Sequence, residues 1–149
     1  MKTNLLYIVL FFGLMFSSCG HSEEPIPDVR VDFYIYLSQA QFASLQNPGG
    51  WCYVTGGYNG IFVYNVDCST YYAYDRACPV STKHTALIYN EKTHCLYHTD
   101  TEKNCDSQYS VLLQGAVQSG SSKYPLKRYY VRKDGEKLHV VNESYYLDY

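Results

Sequence analysis

The sequence predicts an all-β domain, and three observations carry that prediction. Tyrosine is unusually abundant, 18 of 149 residues, and aromatic and β-branched side chains suit a pleated, half-buried surface. Apolar residues alternate with polar ones in short runs, the period of a strand with one buried face. Turn residues recur every few positions between those runs, the spacing of a sandwich or partly closed barrel. No apolar pattern of helical period is long enough to build a core.

The elements follow in order from residue 29. Val31, Phe33, Ile35 and Leu37 alternate with Asp32, Tyr34 and Tyr36, which gives a first strand. Ser38 to Leu45 has room for one helical turn, and Asn47-Pro48-Gly49-Gly50 is turn chemistry. Trp51 to Thr55 and Ile61 to Val66 flank Gly56-Gly57-Tyr58-Asn59-Gly60, a hairpin whose loop tolerates positive φ. Asp67-Cys68-Ser69-Thr70 turns the chain into Tyr71 to Asp75, which delivers a loop at Arg76-Ala77-Cys78-Pro79. A second hairpin pairs Thr85 to Tyr89 with His94 to His98. It leads to a second cysteine loop, Glu102 to Tyr109, and then to strands over Tyr109 to Leu113 and Gly115 to Val117. Leu126 to Val131 and Leu138 to Val141 close the domain around the turn Lys133-Asp134-Gly135-Glu136. This divides the chain into a leader (1–18), a linker (19–28), a β domain (29–142) and a short tail (143–149).

The leader reads as a targeting segment. Lys2 precedes an apolar run from Leu5 to Phe16 that is too short to span a bilayer. Phe16-Ser17-Ser18-Cys19 resembles a bacterial lipobox, with small residues before a cysteine that is lipidated at its thiol, although Phe16 stands where leucine is usual. Ser22-Glu23-Glu24 resembles the acidic tether of surface lipoproteins of the Bacteroidetes. These features place the protein in the cell envelope, lipid-anchored through Cys19, periplasmic or surface-facing at the outer membrane. An envelope protein is a conceivable partner. Nucleic acid is not, because a net charge of −2 supplies no basic stripe to neutralise phosphates.

Cleavage before Cys19 leaves Cys52, Cys68, Cys78, Cys95 and Cys105 in an oxidising compartment. An odd number leaves at least one thiol outside any pair. No Gly-x-Ser-x-Gly, phosphate loop or His-Glu-x-x-His is present, so the residues suggest no catalyst. Surface placement is the reading preferred for His84, His94 and His98 over a zinc or copper site, and His139 alternates outward beside Leu138 and Val140.

Taken together, Tyr74-Asp75-Arg76-x-Cys78-Pro79, Ser107-x-Tyr109, Gly115-x-Val117, Gly120, Pro125-Leu126-x-x-Tyr129 and Gly135-x-x-Leu138-x-Val140 resemble the Rieske iron–sulfur domain. The likeness extends to Rieske-like lipoproteins of the Bacteroidetes and covers residues 29 to 142. It implies a small β-sandwich or partly closed barrel of antiparallel strands with two loops at one end. In that family the loops hold a [2Fe–2S] cluster through two thiolates and two imidazoles. Position by position, Cys78 matches a thiolate, but Val80 falls where an imidazole is needed. Glu102 falls at the second thiolate and Cys105 at the second imidazole. Ser107 and Tyr109 match the hydroxyls that bond to the cluster and ligand sulfurs.

The resemblance therefore implies a domain without the standard ligation, a structural or interaction module with no cofactor. With no iron between them, Cys78 and Cys105 face each other and can form a disulfide. The alternative is a [2Fe–2S] electron carrier with Cys78, His84, Cys95 and His98 as ligands, since Cys95-Leu96-Tyr97-His98 is itself C-x-x-H.

Overall fold

The computed structural model describes residues 25–99 and 105–142. The leader, Cys19, most of the linker, Glu102 and the tail lie outside the described residues. Among the described residues, ten strands form two antiparallel sheets. β1 (Asp32–Tyr36), β2 (Trp51–Val54), β3 (Ile61–Asn65), β4 (Tyr71–Asp75), β9 (Arg128–Asp134) and β10 (Lys137–Val141) make a curled six-stranded sheet, in the order β1-β10-β9-β4-β3-β2. β5 (Ile88–Asn90), β6 (Cys95–Tyr97), β7 (Gln108–Ser110) and β8 (Ala116–Ser119) make a four-stranded sheet in sequence order. The all-β expectation holds.

The period-2 rule explains how one curled sheet serves two cores. Every residue of β3 is buried, although the strand alternates between faces. Ile61 and Val63 point into the first core with Val31, Ile35, Leu45, Tyr71, Ala73, Leu138 and Val140. Phe62 and Tyr64 point the other way, into the second core with Tyr74, Leu87, Leu96, Tyr109, Val111 and Leu126. β4 divides likewise, with Tyr71 and Ala73 on the first side and Tyr74 on the second. The small sheet thus covers the outer face of the large one. Aromatic rings line the seam: Trp51 donates its indole N–H to Glu91 across it (2.9 Å), and Tyr53 accepts the Tyr89 amide (2.8 Å).

Several boundaries differ from the sequence expectation. Residues 85–87 do not pair with 94–98, because they fold back on the start of their own loop. The Cys78 amide reaches the Thr85 carbonyl (3.0 Å), the Leu87 amide reaches Arg76 (2.6 Å), and Ala77 bridges Ala86. The strand expected over 109–113 stops at Ser110, and Gln114 (φ 57°) and Gly115 (φ 80°) close a turn instead. Gly115 is required there, since a Cβ would meet Leu126 Cβ and Tyr74 Cε1 at 3.0 Å. The single helical turn expected before Asn47 is a 3-10 helix, Ala40–Gln46. Its Leu45 is buried in the first core.

Candidate functional site: two loops joined by a disulfide

The chain leaves the large sheet after β4 and returns to it at β9, and the two points of passage touch. The Asp75 amide donates to the Lys127 carbonyl (2.9 Å). Asp75 itself fixes the exit. Its carboxyl is fully buried and accepts from the amides of Tyr58 (2.6 Å), Asn59 (3.2 Å) and Ala77 (2.9 Å) and from the Tyr129 hydroxyl (2.7 Å). A buried polar group needs such partners. Gly57 (φ 62°) lets the hairpin loop approach this closely, since a Cβ there would lie 2.4 Å from Asp75 Oδ2. Sequence reasoning read Asp75 as the end of a strand and missed this role. The available signal was an acid closing an otherwise apolar run, Tyr-Tyr-Ala-Tyr-Asp.

The first loop then runs over 76–87 as a narrow ribbon. Its turn is held by the His84 amide on the Ser81 carbonyl (2.9 Å). His84 Nδ1 lies 3.1 Å from the Cys78 carbonyl. A carbonyl only accepts, so Nδ1 carries the proton in this arrangement. The Asn59 side-chain amide donates to the His84 carbonyl (2.6 Å), and the Tyr58 ring packs edge-on against the imidazole at 5.2 Å. Val80 is half-buried and packs against the second core.

The second loop enters at Cys105-Asp106-Ser107 before β7. Cys78 and Cys105 are joined by a disulfide, with Cα atoms 6.4 Å apart and both residues buried in the second core. The bond ties the exit ribbon of the first loop to the segment that carries Ser107 and, in β7, Tyr109. Tyr109 is buried, with its hydroxyl 3.9 Å from Cys78 Sγ. Burial pushes the Tyr109 phenol up from its ordinary value, while the hydroxyls of Ser122 and Ser107 pull it the other way.

A third loop, 119–126, lies over the second. The Ser122 amide donates to Ser107 Oγ (2.9 Å), and Ser107 Oγ donates to Asp106 Oδ1 (3.0 Å). The same Asp106 oxygen accepts the Ser121 amide (3.2 Å) and hydroxyl (2.8 Å). The Ser121 bonds, with that of Ser107, hold the Asp106 carboxyl below its usual range. Gly120 (φ 101°) permits the approach, because a Cβ would sit 2.4 Å from Ser107 Cα. These bonds knit the third loop to the second.

Cys78, Cys105, Ser107 and Tyr109 are therefore brought together. The other ligand set, Cys78, His84, Cys95 and His98, is not. Cys95 lies buried in β6, with its thiol within hydrogen-bond distance of Gln118 Oε1 (2.9 Å) and the Thr93 carbonyl (3.3 Å). Among the described residues, no three His, Cys, Asp or Glu side chains gather where a metal could be held. The donors do not fit a [2Fe–2S] cluster with two thiolates and two imidazoles. Both sulfurs are bonded to each other and valine has no lone pair, and of His84 only Nε2 is left to offer, since Nδ1 serves the Cys78 carbonyl. Among the described residues the other cysteines, Cys52, Cys68 and Cys95, are free. His94 bonds the Tyr89 hydroxyl through Nδ1 (2.8 Å), and His139 reaches Asp32 (2.9 Å) while stacking on Tyr34.

A scan against protein families finds no match to the chain, and neither does a comparison with curated proteins. Among solved structures, the chain is similar to the ferredoxin of carbazole 1,9a-dioxygenase from Nocardioides aromaticivorans IC177. That superposition has a TM-score of 0.46 and 17% identity, over 78% of this chain and all of the ferredoxin.

Proposed function

We propose that this protein is a Rieske-type domain in which a disulfide has taken the place of the iron–sulfur cluster, and that it acts as a lipid-anchored structural or interaction module of the cell envelope. The single observation that carries the reading is the Cys78–Cys105 bond. It occupies the junction of the two loops whose sequence motifs correspond to the family's ligand loops. Ser107 and Tyr109 support the reading, because their hydroxyls remain grouped at that junction. The ligand positions no longer offer the required atoms: Val80 is apolar, and both thiols are spent on each other. A disulfide also suits an exported protein, since the compartment beyond the inner membrane is oxidising. In this reading the clamp holds the two loops at the spacing a cluster would otherwise set. The module carries no electrons.

The test is iron content and visible absorbance of protein matured under reducing, iron-replete conditions. A colourless product with no bound iron, and with the Cys78–Cys105 bond recovered by peptide mapping after export, is the expected result. A reddish-brown product with two irons per chain and a rhombic resonance on reduction overturns the proposal in favour of an electron carrier.

A further inference from the structure

Two large apolar side chains face water side by side on one turn. Leu113 is 66% exposed and Leu112 is 47% exposed. The turn that displays them is firmly built. The Leu113 amide donates to Ser110 Oγ (3.3 Å), the Gly115 amide to the Ser110 carbonyl (2.8 Å), and the Tyr74 hydroxyl to the Val111 carbonyl (3.0 Å). Two consecutive left-handed residues, Gln114 and Gly115, complete it. Neither leucine belongs to either core.

The position of this turn relative to the N-terminal segment gives it a use. Gln114 accepts from Arg128 Nη1 (2.5 Å), and the Leu126 amide reaches the Gly115 carbonyl (2.9 Å). Between Leu126 and Arg128 stands Lys127, whose ammonium pairs with Asp28 at 3.0 Å. The turn therefore meets the start of β9 at Arg128, and the N-terminal segment meets the neighbouring residue, Lys127. Six residue steps separate Cys19 from Pro25. At ~3.3–3.6 Å per extended residue, that tether holds the domain within about 20 Å of a lipid attached to Cys19.

We infer that Leu112 and Leu113, with Arg128 beside them, rest on the bilayer surface to which the chain is anchored; this deepens the lipid-anchor reading and rests on it. The leucines enter the boundary between headgroups and acyl chains, and the guanidinium faces anionic headgroups. A pair of leucines binds a membrane weakly by itself. The tether makes the contact intramolecular, so the effective concentration of surface is high and the weak contact suffices to fix the orientation. The small sheet and its disulfide junction then take a set orientation to the bilayer, and the Gly135 turn, at the far end of β9, points away.

The experiment uses the full lipidated chain in vesicles of phosphatidylethanolamine and phosphatidylglycerol, with hydrogen exchange read by mass spectrometry. Soluble Cys19→Ser protein is the reference. Amides over 111–116 exchange about 5-fold or more slowly on vesicles, while those over 133–137 are unchanged. The Leu112→Ser/Leu113→Ser double variant, still lipidated, loses that protection. Equal exchange over 111–116 in vesicle-bound and soluble protein overturns the inference and leaves the anchor intact, as does protection that survives in the double variant. Failure of the wild-type chain to carry a lipid on Cys19 overturns the anchor reading itself, and this inference with it.

Discussion

Breaking the Cys78–Cys105 bond is the most direct perturbation of the junction. The two cysteines are 27 residues apart in sequence. The chain-entropy relation for a loop of that length gives about 3.6 kcal/mol of stabilisation at 25 °C, through restriction of the unfolded state. In the folded protein both residues are buried in the second core, so Cys78→Ala/Cys105→Ala also removes packed sulfur and adds to the loss. The assay is urea unfolding followed by Trp51 fluorescence and far-UV circular dichroism, with linear extrapolation. At a slope of about 2 kcal/mol per M, the midpoint falls by roughly 1.8 M in the double variant. Wild-type protein unfolded in reductant shifts by a similar amount, and reductant leaves the double variant unmoved. A loss under ~1 kcal/mol in both experiments refutes the reasoning, because it means the two loops hold their places without the bond.

Three further outcomes follow from the site. Asp75→Ala strands the Ala77 amide in the interior, at ~1–3 kcal/mol, and takes the acceptor from Tyr58, Asn59 and Tyr129 as well; Tyr129→Phe removes only one of the four donors and costs about 1 kcal/mol, so equal losses in the two variants by urea unfolding contradict the network. Gly120→Ala costs more than Gly135→Ala, because both demand left-handed backbone but only the first drives a methyl into Ser107; the second is held to the backbone term of about 1 kcal/mol, and thermal unfolding of the pair gives the comparison. The Asp67 carboxyl, bonded by the Thr70 and Ser69 amides and the Ser69 hydroxyl, is drawn down to about 2 from 3.8. A depressed carboxyl contributes stability that is whole above the unfolded value and fades as pH falls through the folded one. Carbon-detected NMR of the Asp67 carboxyl therefore titrates near 2, and a midpoint near 3.8 contradicts the turn geometry.

How much of this was legible in the sequence varies with the kind of interaction. The run from Val31 to Leu37 shows its inward face by alternation alone, and the structure buries Val31, Ile35 and Leu37 accordingly. Ile61 to Val66 is legible as a strand, but Ile61-Phe62-Val63-Tyr64 is apolar on both faces and only the second sheet explains why. The ribbon at 85–87 was misjudged as strand because its partner, Arg76 to Cys78, is a stretch with no alternation of its own. Cysteine counting left the pairing open among five thiols, and the resemblance to Rieske loops drew attention to Cys78 and Cys105. The Asp106–Ser121 and Ser107–Ser122 bonds were beyond reach. They join residues 15 apart through side chains whose types are ordinary in any loop.

The Asp75–Lys127 hydrogen bond has a consequence for the architecture as a whole. Because β4 and β9 are neighbours, residues 76–126 are an excursion that departs from one register position and re-enters beside it. A short hairpin joining Asp75 to Lys127 would leave every strand pairing of the large sheet in place, and would bare Phe62, Tyr64 and Tyr74 to water. The large sheet is thus the mounting plate, and the two-loop head is an attachment exchangeable for any other body that covers those three rings.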